Sequence, residues 1–142
     1  TAADKANFDK RTAVLVDHFS TIEVVNGKKV NGKMTLGENI GDNGGLNIAL
    51  RAYHNAQKEG HVISSDQKDF TADQLFFLGY ARIWASNNRE QYMDMLLTQD
   101  VHSPNMARVN GALPHIDAWY QAFGVKKGNR LFLPKKKRAQ VW

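Results

Sequence analysis

The 142-residue chain has no cysteine, only three prolines, and no apolar run near the roughly 20 residues that a membrane span requires. Each absence removes a class of protein. Without cysteine there is no disulfide framework and no thiolate metal site, so any metal would be held by histidine and carboxylate. Without a long apolar stretch the chain reads as soluble, with cytoplasm, periplasm and secretion all left open. The start, TAADKANFDK, has neither an initiator methionine nor a signal-like apolar run, and it reads as an excised piece. Also missing are a Gly-rich phosphate loop with its lysine, a G-x-S-x-G elbow and a thiol nucleophile. Covalent acyl-enzyme chemistry therefore has no visible supporter.

What is present begins with charge. The net charge is +5, but Lys126, Lys127, Arg130, Lys135, Lys136, Lys137 and Arg138 fall in one acid-free run. With those seven set aside, 12 basic residues face 14 acidic ones, so the rest of the chain is mildly acidic. LFLP interrupts the run, and Val141 and Trp142 follow it, the pattern of a docked tail. The competing reading is a noncatalytic module that binds nucleic acid or another polyanion through counterion release.

The length suits one domain with a real core. Thr1 and Asp4 resemble a capping box, and Phe8, Leu15 and Phe19 keep to one side of a helix over about 2–20. IEVVNGKKVNGKMT carries two Asn-Gly pairs between short β-prone runs, the signal of a small hairpin near 22–34. A second helix spans roughly 36–58, before Gly60, and the polar segment 61–69 reads as a loop. Thr71 caps a helix whose Leu75, Phe76, Leu78, Ile83 and Trp84 cover so wide an arc that the pattern places it centrally in the core. After Asn87 and Asn88, REQYMDMLLTQ forms another helix. Ser103 reads as the cap and Pro104 as the first residue of a short helix ending at Gly111. Pro114 opens a last helix to about Phe123, closed by Gly124.

GENIGDNGG, residues 37–45, stands inside the second helix although each helical glycine costs about 1 kcal/mol relative to alanine. Glu38 and Asp42, four apart, should also repel by about 0.2–0.5 kcal/mol. Stability alone did not select this stretch. On a helix Gly37, Gly41, Gly44 and Ile48 share one stripe, and Glu38, Asp42 and Gly45 form the stripe beside it. Another backbone can approach the bare stripe while the neighbouring one presents two carboxylates. One acid could ligate a metal, and the other could accept a hydrogen bond from the far nitrogen of a histidine ligand on an opposing helix. The same pattern also fits a tight helix crossing with two solvated acids.

DVHSPNMARVNG is the second candidate. His102 precedes the capped helix and Arg108 projects about one turn in, so the two could donate hydrogen bonds to a carbonyl oxygen gaining charge. A surface histidine beside a helix start fits equally. His18, His54, His61 and His115 show no metal spacing, and Trp84, Trp119, Phe76 and Phe77 read as core.

Taken in order and spacing, NGKMTLGENIGDNGGL, FFLGYARIW, TQDVHSPNMARVNGAL and FGVKKGNRLFLPKKKRAQVW resemble the C-terminal part of neprilysin-type zinc endopeptidases, the group that includes endothelin-converting enzymes and bacterial oligopeptidases. The resemblance covers nearly the whole chain. It implies that Glu38 is the third protein ligand of zinc and that Asp42 orients a zinc-bound histidine. It assigns His102 to transition-state stabilisation and Arg108 to the substrate carbonyl. Gly41 stands where that family usually has alanine. The family's H-E-x-x-H, which supplies two histidine ligands and the general-base glutamate, is absent from residues 1–142. The cysteines of the mammalian ectoenzymes are absent too, which points to a bacterial member.

The expectations are therefore a mainly α fold, the helical C-terminal segment of a gluzincin-type catalytic domain, with at most a short β-hairpin. Residues 1–142 form a single segment that needs zinc, peptide substrates and the upstream H-E-x-x-H part to act. Alone it should be catalytically silent and not hold zinc. Its glycine face, lacking the opposing helix, could pair with another copy. No nucleic-acid partner and no membrane segment are expected.

Overall fold

Helix caps and Asn-Gly turns set the element order in the computed structural model, which describes residues 1–61 and 69–141. Helix α1 (Ala2–Phe19) starts where the Thr1 hydroxyl accepts the Asp4 N–H at 3.2 Å and the Asp4 carboxylate accepts from the Thr1 amine at 3.0 Å. It ends on Leu15 and Phe19, both fully buried, while Phe8 lies 38% exposed. Strands β1 (Glu23–Val25) and β2 (Lys28–Lys29) pair antiparallel, Glu23 opposite Lys29 and Val25 opposite Lys28. Asn26 and Gly27 turn between them with φ of 50° and 76°, the positive values that a tight hairpin demands. The second Asn-Gly pair makes no hairpin. A β-carbon on Gly32 would lie 2.4 Å from the Val16 carbonyl oxygen, so this glycine lets the chain press against α1.

Helix α2 (Leu36–Lys58) runs as the pattern requires. The expected loop at 61–69 lies almost wholly outside the described residues. Helix α3 (Ala72–Ile83) opens on a complete capping box between Thr71 and Gln74. It is followed by α4 (Glu90–Gln99), α5 (Asn105–Ala112) and α6 (Asp117–Phe123), the last closed by Gly124 at φ 61°. Among the described residues the architecture is thus six helices and one two-stranded ribbon.

Four expectations need correction. Helix α3 is not central: only Phe77 is buried, whereas Leu78 is 39% and Ile83 73% exposed. Its wide apolar arc is covered on one side only. Pro104, in extended backbone at ψ 147°, occupies the cap of α5 without a side-chain cap bond, because the Ser103 hydroxyl is engaged elsewhere. Gly111 does not terminate α5. It lies inside the helix, where a β-carbon would come within 2.5 Å of the Phe19 ring. Pro114 sits in a 3-10 turn, Leu113–His115, and α6 begins only at Asp117.

Two apolar clusters hold these elements. Leu46, Leu50, Phe77, Leu113, Ile116 and Trp119 form one; Leu15, Phe19, Val30, Leu97, Ala107 and Val141 form the other. Each large side chain buried this way contributes about 1.5–3 kcal/mol. Helix α2 feeds both, with Leu46 and Leu50 in the first and Leu36 and Ile40 packed against the second. The basic tail is docked: Arg138 lies 3.4 Å over the Tyr120 ring and donates to Asp117 at 2.6 Å, and Ala139 and Val141 are each 6% exposed. No helix among the described residues is long and apolar enough to cross a membrane.

Candidate functional site

The first turns of α2 carry Glu38 and Asp42, and the segment from Asp100 into α5 carries His102 and Arg108. Packing of α2 on α5 brings all four together. The Arg108 Nε donates to Asp42 Oδ2 and its Nη2 to Asp42 Oδ1, each at 2.7 Å. Both side chains are largely buried, at 13% and 10% exposure. A two-pronged pair of this kind is strong and directional. The guanidinium also lies 3.9 Å over the Trp84 indole, and the Tyr80 hydroxyl donates to the Arg108 carbonyl oxygen at 3.3 Å. The bond to Asp42 raises the pKa of Arg108 above its ordinary value. Burial, and then the Asp42 charge, raise that of Tyr80 in turn.

The second pair faces solvent. His102 Nε2 lies 3.2 Å from Glu38 Oε2, with both side chains a little under half exposed. On the ring's other side Asp100 Oδ1 accepts from the His102 backbone N–H at 2.8 Å and lies 2.7 Å from Nδ1. These hydrogen bonds hold the Asp100 carboxyl below the usual carboxylate range. With a carboxylate at each nitrogen, the ring has little freedom to turn. The repulsion expected between Glu38 and Asp42 is offset on the Asp42 side by the Arg108 guanidinium.

The supports of this arrangement were not singled out from the sequence. Asp100 stands two residues before His102 in TQDVHSPN, a short-range signal that was available. Trp84 reads as core from its helix pattern, yet it acts as the platform beneath Arg108. Ser103 donates to Asn39 Oδ1 at 2.8 Å, and Asn39 Nδ2 donates to the Thr35 hydroxyl at 2.9 Å, a buried chain that fixes the His102 segment to α2. Its partners lie 64 residues apart, beyond any local pattern. Within the described residues the partner of Asp42 is Arg108 rather than a histidine.

A pocket of ≈ 300 Å³ opens beside the four, lined by Asp100, His102 and Arg108 together with Tyr92, Leu96 and Asn88. Among the described residues no group of three or more His, Cys, Asp or Glu side chains is gathered to hold a metal. Glu38, not among the residues that line this pocket, offers one half-exposed carboxylate against His102.

The family model described as Peptidase family M13 matches residues 1–139. The chain belongs to this family. Endothelin-converting enzyme 1 of Homo sapiens is 40% identical over 136 residues, which cover 95% of the chain, and neprilysin of Homo sapiens is 34% identical over 145 residues, covering all of it. The chain spans 17% and 19% of the length of those two proteins. Among solved structures, the zinc metalloprotease ZMP1 of Mycobacterium tuberculosis in its open state superposes with a TM-score of 0.89 at 34% identity, covering 100% of the chain and 23% of that protein. Membership in M13 accounts for the spacing of the four motifs.

Proposed function

We propose that residues 1–142 are the C-terminal segment of the catalytic domain of a zinc endopeptidase, in which Glu38 supplies one carboxylate to the metal. The observation that carries this reading is the convergence of Glu38, Asp42, His102 and Arg108 in one cluster of a family M13 chain. The donor set fits a shared ion: one half-exposed carboxylate is at hand, and the histidine ligands and general base would come from the H-E-x-x-H segment. Zinc held there would supply Lewis acidity and an activated water.

The chain's own residues then receive the peptide. His102, steadied by Asp100, faces Glu38 through Nε2; with Glu38 turned to the metal, an N–H at Nε2 would donate to a carbonyl oxygen as it gains negative charge. Arg108, clamped on Asp42 and Trp84 through Nε and Nη2, keeps Nη1 to hold that carbonyl in place. Each Asp42 oxygen retains a lone pair after its bond to Arg108, enough to accept an imidazole N–H from an opposing helix. An oligopeptide backbone would run through the pocket beside them.

The bare face of α2 supports the same reading. Nothing lies within 4 Å of the β-carbon positions of Gly37 and Gly41 on the first stripe or of Gly45 on the stripe beside it, and Ile48 is 69% exposed, whereas Gly44, expected on the bare stripe, is buried. The H-E-x-x-H helix is the occupant we place there; in residues 1–142 alone, pairing with a second copy is what the uncovered face allows. The polyanion reading has less support, because Asp117 lies within 3.4 Å of Lys135 and binds Arg138.

The test is a whole protein that joins the H-E-x-x-H segment to these residues, assayed for bound zinc and peptide hydrolysis, with Glu38→Gln beside it. Turnover is expected in the joined protein, none in residues 1–142 alone, and for the variant a fall in metal affinity or activity larger than the roughly ten- to hundredfold that loss of an outer-sphere partner costs. Full zinc occupancy and turnover in Glu38→Gln would overturn the proposal. Light scattering of residues 1–142 by themselves tests whether the uncovered face pairs with a second copy, and monomer alone at high concentration would count against that pairing.

A further inference from the structure

His115, in the 3-10 turn before α6, is 4% exposed, and its Nδ1 lies 2.9 Å from the Ala139 backbone nitrogen. That N–H donates, so Nδ1 carries no proton. A neutral ring then holds its proton on Nε2, which lies 2.8 Å from His18 Nδ1 on α1. His18 must accept there and carry its own proton on Nε2; a backbone hydrogen bond of the ring with Gly111 partly opposes the fall in its pKa. Three elements and the tail are thus joined by one directional chain of hydrogen bonds. Its tautomers follow from the partners.

We propose that His18 and His115 form an acid-releasable clasp that holds residues 139–141 against the helices. A second proton on His115 would turn Nδ1 into a donor facing the Ala139 N–H; a second proton on His18 would set it against His115 Nε2–H. Either event breaks the chain at a buried link. The hold on residues 139–141 is narrow: besides the His115 bond, Arg11 Nη1 donates to the Val141 carbonyl oxygen at 3.4 Å, and Ala139 and Val141 supply apolar contact. A separate pocket adjoins each ring. His115 lines a cleft of ≈ 540 Å³ between α2 and the tail, and His18 lines a pocket of ≈ 280 Å³ beside Leu133.

The charged groups around the pair favour its neutral form. Arg138 flanks His115 from the tail, Arg51 of α2 shares its cleft, and Lys136 and Lys137 share the pocket of His18. Against them stand Asp17, beside His18 on α1, and Asp117 of α6, which is already engaged with Arg138 and Lys135. Burial pushes the pKa of His115 down to about 3, with the charges of His18 and Arg138 adding to the fall, and burial lowers that of His18 as well. The released state takes up protons near the ordinary value of 6.5, so the clasp is at full strength above that pH and weakens as pH falls toward about 3. Asp117 is held below the usual carboxylate range of 3.8 by Arg138, so its own titration enters only at the acid end of this window.

Amide hydrogen exchange of the full chain between pH 7 and 4.5, corrected for the intrinsic rate, tests the clasp at Ala139, with Leu50 on α2 as the reporter of global opening. Ala139 is expected to exchange ahead of Leu50, and its protection to fall by about tenfold or more across the window, since one pK unit corresponds to a factor of ten. His115→Asn keeps an oxygen acceptor for the Ala139 N–H but cannot titrate, so its profile should be shallower than that of the parent chain, with only His18 left to respond. Should that variant not fold, His18→Asn, which keeps the acceptor for His115 Nε2–H, should give a shallower profile than the parent chain. A flat profile in the parent chain, an unchanged slope in the variant, or exchange of Ala139 only together with Leu50 would each overturn the proposal.

Discussion

Arg108 grips Asp42 with two hydrogen bonds of 2.7 Å while its guanidinium rests on Trp84, so one side chain ties α5 to both α2 and α3. Two largely buried charges depend on each other here, and removing one leaves the other without compensation. Arg108→Ala should destabilise the chain by about 3–5 kcal/mol. Replacing both partners by apolar residues of similar volume should cost much less. Urea denaturation of the two variants measures the difference. If the single variant loses less than the double one, Asp42 has another partner.

Asp100 should matter to catalysis more than to folding. It is partly exposed and works by holding His102 Nδ1. In the joined protein Asp100→Asn should lower kcat by about tenfold to a hundredfold with little change in thermal midpoint. The folded pKa of Asp100 lies below its ordinary value, so its contribution is complete above pH 3.8 and is lost only as pH falls through that lower value. The orientation of His102 should therefore survive mild acid. An acid limb in kcat above pH 5 that vanishes in Asp100→Asn would contradict this.

Glycines with the same helical backbone should respond in opposite ways. A β-carbon at Gly111 meets the Phe19 ring at 2.5 Å, and Gly111→Ala should destabilise by about 1–3 kcal/mol. Nothing lies within 4 Å of that position in Gly41, and Gly41→Ala should stabilise residues 1–142 by about 0.5–1 kcal/mol through helix propensity. Thermal melts of the two variants should move apart in sign.

Ser103→Ala leaves Asn39 Oδ1 buried without its donor, and the loss should be about 1–3 kcal/mol. If Ser103 were instead a helix cap, its removal would show as fraying of α5 by amide exchange, with the Asn39 side-chain resonances unmoved. A shift of those resonances is the expected outcome.

What could be read in the sequence was what local physics decides. The Thr1 and Thr71 capping boxes, the Asn26-Gly27 turn and the left-handed Gly124 each set a boundary within a few residues of chain, and each stands where the pattern puts it. The carboxylates and the His102–Arg108 segment were legible as motifs, although only packing shows which acid meets which base. Features decided by distant neighbours were not legible. The arc of α3 says nothing about how many sides are covered, and Gly111 looks like a helix stop until Phe19 is seen against it. Trp84 has the same apolar signature whether it fills a core or carries a cation. Ser103 was read by its immediate neighbours, while Asn39 is what engages it.

Because α2 contributes to both apolar clusters, the carboxylates it carries stand on a beam anchored at both ends rather than on a loop. Neither cluster can melt and leave that beam in place. Along a denaturant series, disappearance of the Glu38–His102 and Asp42–Arg108 contacts should coincide with the global transition, and no softened, misaligned form of the site should accumulate before it.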